Sequence, residues 1–141
     1  NNPAKVKRER ENIQWYRDTM PSIVKDEDSE EVVYARCALN EARYIYGLLR
    51  RNADEAREKA DKWKQDEMDC EKKRHEAVTM LRGGDEYTGD EARSELQSLM
   101  IKWKRTKNKA NKYMLEAEEA ETMAECGFYK LLRAHERMRE L

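Results

Sequence analysis

A basic segment that lacks acidic residues is the first candidate for chemistry in this chain. Residues 96–115 contain no aspartate or glutamate, and Trp103 and Tyr113 lie among their cations. Clustered lysine and arginine side chains bind phosphates and release counterions from nucleic acid. The segment therefore predicts a phosphate-binding stripe on a nucleic-acid-binding helical arm. The basic stripe consists of Lys102, Lys104, Arg105, Lys107, Lys109 and Lys112.

The same cations can instead be neutralised within the protein, and we favour this interpretation. If the chain folds back so that paired residue numbers sum to 173, four of the lysines face acidic residues. Exposed ion pairs contribute only about 0–1 kcal/mol each, so these pairs would specify the pairing of the helices more than stabilise it. The predicted pairs are Lys102/Glu71, Lys104/Asp69, Lys107/Asp66 and Lys112/Asp61.

The other reactive side chains form no catalytic or metal-binding pattern. The glutamate-rich run at 116–125 lacks the glycine turn and the ligand spacing of a calcium loop. His75 and His135 fall at opposite ends of the predicted arm, so they cannot share a metal ion. The sequence contains no nucleophile turn, no glycine-rich phosphate loop and no cysteine with an activating histidine. We expect no enzymatic activity, no metal, no cofactor and no small-molecule substrate.

A surplus of apolar residues in the half of the chain near the turn predicts a partner-binding face. Methionine suits adaptable contact surfaces, and an exposed apolar stripe usually marks an interaction site. An alternative is that Met80 and Met100 only broaden the contact between the helices. The leading hypothesis is a non-enzymatic interaction or scaffolding module that binds a protein partner or itself, through this face or through the base of the hairpin. The predicted partner-binding residues are Met68, Val78, Met100, Ile101, Met114, Leu115 and, at the tip, Tyr87.

The elements that position these residues follow from two heptad repeats. When paired numbers sum to 173, six of the seven pairs place a large side chain against a small one. Seven-residue spacing of apolar residues is typical of helices packed along a supercoiled seam. The sequence thus predicts an all-α fold, a long antiparallel coiled-coil helical hairpin with an alanine-rich heptad seam. The first repeat is Ala35, Ala42, Leu49, Ala56, Trp63, Cys70 and Ala77, and the second is Leu96, Trp103, Ala110, Ala117, Ala124, Leu131 and Met138.

A glycine inside the last helix supports the same register. Glycine in a helix interior costs about 1 kcal/mol relative to alanine. We expect Gly127 to lie opposite Tyr46, because only a missing side chain lets the Tyr46 ring lie against the facing backbone. We therefore expect a large residue at position 127 to overpack the contact.

We predict one elongated helical domain over residues 1–141, with helices at 4–20, 29–82 and 90–141 and a turn at 83–89. Pro21 ends the first helix, and Gly83 and Gly84 end the second. The first helix is expected to fold back and form a three-helix base. Its apolar residues Val6, Ile13, Tyr16 and Met20 would cover Val33, Cys37, Tyr44, Leu48, Phe128 and Leu132.

The composition agrees with a narrow seam and a solvated exterior. Charged residues make up 42% of the chain and apolar residues 38%, which is typical of long helices rather than of a globular core. A net charge of −1 gives no overall attraction to nucleic acid or to an acidic membrane. The sequence has no membrane-spanning run and no signal segment. Three cysteines argue against a disulfide framework, so we expect a reducing, cytoplasmic or other intracellular compartment.

Overall fold

All regular structure in the described part of the protein is α-helical. The computed structural model describes residues 3–19, 28–83 and 90–141. Helix α1 spans Pro3–Thr19, α2 spans Glu30–Gly83 and α3 spans Asp90–Glu140, and these ranges contain no strand. The prediction of an all-α helical hairpin is confirmed, and the observed helix bounds lie within one residue of the predicted ones. Most of the predicted turn, residues 84–89, lies outside the described residues.

The start of α2 is fixed by capping and by a contact from α1. The Ser29 hydroxyl accepts a hydrogen bond from the Val32 amide at 3.4 Å, which satisfies one of the free N–H groups of the first turn. Arg36 Nη1 lies 2.7 Å from the Asp28 carboxylate. Arg17 Nη2 of α1 donates to the Asp28 carbonyl oxygen at 2.9 Å. These contacts attach the end of α1 to the start of α2.

The two long helices pack against each other through small side chains. Seven alanines are almost fully buried, and Val33 is the largest fully buried side chain of the described residues. Alanine lets two helix backbones approach closely, but each alanine removes little apolar area from water. The buried alanines are Ala35, Ala53, Ala60, Ala92, Ala110, Ala117 and Ala124.

The chain divides into two compact units, which we describe separately. Unit 1 comprises Asn1–Arg50 and Met123–Leu141, and unit 2 comprises Arg51–Thr122. Each unit contains a segment of α2 and a segment of α3, and unit 1 also contains α1. The single domain over 1–141 stays a prediction.

In unit 1, the helices approach each other at Gly127, as predicted. A Cβ atom added to Gly127 would lie 3.8 Å from the Cα atom of Tyr46. Its nearest neighbour, however, would be Cδ1 of Leu49 at 2.9 Å. The Tyr46 ring packs edge-on against Phe128, with ring centroids 5.7 Å apart at 80°. Gly127 therefore makes room for Leu49 and for the Tyr46 backbone rather than for the Tyr46 ring.

The burial expected from a three-helix base is found at only two of the six predicted positions. Val33 and Cys37 are buried, at 0% and 2% exposure, as a covering helix requires. The expectation was wrong for the other four residues, because Tyr44, Leu48, Phe128 and Leu132 are between 40% and 68% exposed. Among these six residues, burial is confined to Val33 and Cys37, which lie near the Arg17 contact at the start of α2, and it ends before Tyr44. The side chains of Val6, Ile13 and Tyr16, and all of Met20, lie outside the described residues.

Candidate functional site: the basic stripe and the apolar surfaces

The predicted partner-binding residues do not form a continuous row. Ile101 and Leu115 are 54% and 60% exposed, but they lie fourteen residues apart on α3, about 21 Å at helical rise. Exposed Asn108 occupies the same helical face midway between them. Single exposed apolar side chains of this kind are normal on a protein surface. Ile101 and Leu115 are therefore isolated exposed side chains and do not belong to one continuous apolar stripe.

The other members of the predicted set are divided between exposed and half-buried positions. Met68 is 55% exposed on α2, and Met100 is 37% exposed on α3. Val78 is half-buried. Met114 is half-buried as well, and its sulfur accepts a hydrogen bond from Arg57 Nη1 at 2.9 Å. Met114 is thus engaged in a contact between the two helices, and Tyr87 lies outside the described residues.

All six side chains of the basic stripe are exposed, and the predicted ion pairs with α2 are not formed. In the described ranges, ion pairs closer than about 4 Å join Lys7 to Glu11, Arg36 to Asp28, Arg57 to Glu121 and Lys64 to Glu67. None of them involves a residue of the stripe. The four pairings with Asp61, Asp66, Asp69 and Glu71 were therefore wrong.

Aromatic rings, rather than carboxylates, contact half of the stripe. Lys107 Nζ lies 5.1 Å from the Trp103 ring centroid, Lys109 Nζ lies 4.8 Å from that of Trp63, and Lys112 Nζ lies 5.7 Å from that of Tyr113. Trp63 and Tyr113 also stack on each other across the two helices, with centroids 5.9 Å apart. A cation over an aromatic face gains about 0.5–1 kcal/mol at an exposed site. This attraction favours the position of the three ammonium groups near the rings, and all three lysines remain exposed.

Two cations of α2 reach the same rings from the other helix. Lys59 Nζ lies 4.2 Å from the Tyr113 centroid, and the Arg74 guanidinium lies 4.8 Å from that of Trp103. Nε of Arg74 and Nε1 of Trp103 are buried and lack a hydrogen-bond partner among the described residues. The ring contact partly offsets the cost of these unsatisfied groups.

A small polar layer interrupts the apolar seam of unit 2. Glu67, Cys70 and Thr106 are all more than 90% buried. The Thr106 hydroxyl donates to the Lys102 carbonyl oxygen at 2.8 Å and lies 3.9 Å from Cys70 Sγ. Glu67 Oε2 accepts a hydrogen bond from Lys64 Nζ at 3.1 Å. Each polar side chain has a nearby partner, so the layer restricts the register of the helices without forming a reactive site.

A denser apolar surface lies in unit 1, and we call it the base surface; the sequence named the base as one possible partner-binding site. Tyr44, Ile45 and Leu48 lie within five residues of α2 and are between 41% and 68% exposed. Phe128, Tyr129 and Leu132 lie within five residues of α3 and are between 40% and 51% exposed. The signal was present as two apolar pairs spaced by four, Tyr44/Leu48 and Phe128/Leu132. It was assigned to contact with α1 instead.

A groove beside the base surface is lined mostly by small side chains. It has a volume of about 270 Å³ and receives residues from both α2 and α3. Its short side chains leave a shallow apolar floor, and the exposed Glu41 and Lys130 supply its charges. We call it the alanine groove. Its lining consists of Ala38, Glu41, Ala42, Ile45, Gly127, Lys130 and Ala134.

The cysteines are reduced and differ in environment. Cys37 and Cys70 are buried, whereas Cys126 is exposed. Burial, with a smaller contribution from the negative charge of Glu41, raises the pKa of the Cys37 thiol and makes it less reactive. No cluster of three potential metal ligands occurs in residues 3–19, 28–83 and 90–141. Within these same ranges, no helix has the length and apolar character needed to cross a membrane.

Comparisons of this chain with known protein families, with curated proteins and with solved structures find no match. The surfaces described above are therefore the basis for a functional proposal.

Proposed function

We propose that this chain is a non-enzymatic helical interaction module, a scaffolding or adaptor part of a larger protein assembly. The observation that carries the proposal is the base surface, where aromatic and aliphatic side chains remain exposed on both long helices. Aromatic residues are enriched at protein interfaces, where they anchor binding in desolvated pockets. A protein partner that covers this surface removes it from water.

The rigid frame of the module is a coiled-coil seam. The buried alanines at 110, 117 and 124 recur at seven-residue intervals, and so do those at 53 and 60. This is the spacing that keeps a seam facing its partner helix along a left-handed supercoil. A stiff frame holds the binding residues in place without loops, which lowers the entropic cost of binding.

A three-helix base completes the frame. Val33 and Ala35 are both fully buried, although successive positions two apart on a helix point about 200° away from each other. One neighbouring helix covers only one of these faces. Helix α1 belongs to the same compact unit and is held at the start of α2 by the Arg17 contact, which supports α1 as the element that covers the second face. The free cysteines support a reducing, cytoplasmic setting.

Site-specific photo-crosslinking in the cells that make the protein tests the proposal. A photoreactive amino acid replaces Tyr129 of the base surface or, as a matched control, Leu115, which is similarly exposed but isolated on α3. We expect protein crosslinks from position 129 that disappear when Leu132→Glu is added, and few from position 115. Crosslinks from 115 alone would move the interface to the predicted partner-binding residues and overturn the role of the base surface.

A nucleic-acid-binding arm is the second candidate. It is favoured by one observation, that the exposed cations of the basic stripe have no carboxylate partner among the described residues. Fluorescence anisotropy with labelled single- and double-stranded oligonucleotides at low salt measures this binding. We expect a triple charge reversal in the stripe to abolish any binding, and a matched reversal of exposed α2 lysines to preserve it. The first variant carries Lys104→Glu, Arg105→Glu and Lys109→Glu, and the control carries Lys62→Glu, Lys72→Glu and Lys73→Glu.

The salt dependence of that binding provides a second measurement. Each phosphate neutralised by the stripe releases counterions, so affinity should fall steeply between about 50 and 200 mM salt. Absence of binding at the lowest salt concentration, or equal loss in both triple variants, would reject the nucleic-acid candidate.

A further inference from the structure

We propose that a second copy of this chain occupies the alanine groove, with a two-fold axis parallel to the helices of unit 1. In this dimer, α2 of each copy packs on α3 of the other. The inference rests on the proposed function and names one partner for the same end of the molecule, a second copy of the chain itself.

The floor of the groove suits close packing of helices. Ala38, Ala42 and Ala134 are short, and Gly127 has no side chain at all. Small residues let a second pair of helices approach until its larger side chains enter the groove. Ile45, at the α2 side of the groove, is 42% exposed and is available to make this contact.

The position of each residue along the helix axis, which we call its level, determines which part of the second copy Ile45 approaches. Contacts of Gly127 with Tyr46 and Leu49 place Gly127 beside this part of α2. A two-fold axis along the helices keeps every residue at its own level while exchanging α2 for α3. Ile45 of one copy therefore lies at the level of Gly127 of the other copy, over the shallow apolar floor of the groove.

Charge complementarity selects this orientation of the axis. Glu41 lies on the α2 side of the groove and Lys130 on the α3 side. With the axis along the helices, Glu41 of each copy lies beside Lys130 of the other. An axis across the helices would bring α2 against α2 and α3 against α3, and so would not bring Glu41 against Lys130.

Sedimentation equilibrium of the full chain over a wide concentration range tests the proposal. The wild-type chain should reach twice its 16.8 kDa mass. Glu41→Lys and Lys130→Glu should each weaken the dimer at least about tenfold, because each places like charges across the interface. The matched control Glu55→Lys, an exposed site of α2 in unit 2, should leave the dissociation constant unchanged. Circular dichroism verifies that every variant keeps its helicity.

A mixture of the two charge-reversal variants gives the decisive test of the proposed dimer. An equimolar mixture of the Glu41→Lys chain and the Lys130→Glu chain should form a heterodimer, and the double charge swap within one chain should restore the homodimer. A wild-type monomer at every concentration overturns the proposal, as does a dimer that neither single reversal weakens.

The two proposals fail separately. If the chain is monomeric but crosslinks persist from position 129 to a different protein, the dimer is rejected and the interaction module stands. If crosslinks from the base surface are absent while the dimer forms, the groove alone is the interface and the proposed role of the base surface is wrong.

Discussion

The two glycines inside the long helices provide a paired test of the packing between α2 and α3. Gly47 is exposed, and a Cβ added to it meets nothing within 4 Å. Gly127 is buried, and a Cβ added to it comes within 2.9 Å of Leu49 Cδ1. The same substitution, glycine to alanine, therefore has the same effect on the helix backbone at both sites and a different effect on packing.

The expected changes in the free energy of unfolding follow from two effects, the helix propensity of alanine and the packing around the added Cβ atom. Alanine is favoured over glycine in a helix interior by about 0.5–1 kcal/mol, so Gly47→Ala should stabilise the protein by this amount. At Gly127, the Leu49 side chain must move away from its present rotamer, which costs about 0.5–1.5 kcal/mol. The two terms roughly cancel in Gly127→Ala. Gly127→Leu adds bulk that the contact cannot absorb and should destabilise by about 1–3 kcal/mol.

Urea denaturation followed by circular dichroism gives the free energy of unfolding for each variant. A double-mutant cycle with Leu49→Ala isolates the contact, because truncation of Leu49 removes the atom that Gly127→Ala would meet. In that background, Gly127→Ala should become as stabilising as Gly47→Ala, with a coupling energy of about 0.5–1.5 kcal/mol. If Gly127→Ala already stabilises the wild type as much as Gly47→Ala does, the register that places Gly127 beside Leu49 is refuted.

Three further predictions concern single side chains. Thr106→Val should change the free energy of unfolding by less than about 1 kcal/mol in urea denaturation, because the lost hydroxyl donates to a carbonyl within its own helix and its 3.9 Å approach to Cys70 Sγ is weak. Arg57→Ala should cost no more than about 1 kcal/mol, and this loss should shrink in high salt, because its ion pair is half-exposed and screened. Burial raises the pKa of the Cys37 thiol, so folding favours the protonated thiol. The contribution of Cys37 to the free energy of unfolding is therefore complete below the ordinary thiol pKa of about 8.5 and declines as the pH rises past it. The Cys37→Ala variant should accordingly lose less stability than the wild type between about pH 8 and 10, and alkylation mapped by mass spectrometry should modify Cys126 before Cys37.

The backbone architecture was accessible from the sequence because its signals are local and repeated. Heptads of small residues, the stop at Gly83 and Gly84, and the close approach at Gly127 each constrain the same hairpin. Agreement among several independent local signals is what makes a fold predictable. The proximity of Gly127 to Tyr46 was predicted correctly, but the predicted packing of the Tyr46 ring on Gly127 was wrong. The side chain nearest to the glycine is that of Leu49, about one helical turn further along α2.

The contacts of long side chains were harder to predict from the sequence, because such a side chain can reach several neighbours at similar distances. The lysines of the basic stripe were paired with acids by residue level alone, but Lys107, Lys109 and Lys112 lie over aromatic rings. Exposed ion pairs are too weak to dictate these choices. The exposure of Phe128 and Leu132 was missed for another reason: it depends on how α1 docks on unit 1, which the spacing of apolar residues within each helix does not encode.

The composition of the seam links stability to association. Alanine removes little apolar area from water, and Val33 is the largest fully buried side chain of the described residues, so burial within the chain contributes modestly per residue. The larger apolar side chains remain exposed at the base surface, and a partner that binds only the folded chain stabilises it by mass action. For a dimer, the unfolding midpoint must then rise with chain concentration. We expect the Tm of the wild type to increase over a hundredfold range of concentration, and that of Glu41→Lys to stay constant until much higher concentrations. Calorimetry at matched concentrations measures both, and a wild-type Tm independent of concentration would show that the exposed apolar residues do not stabilise the fold through self-association.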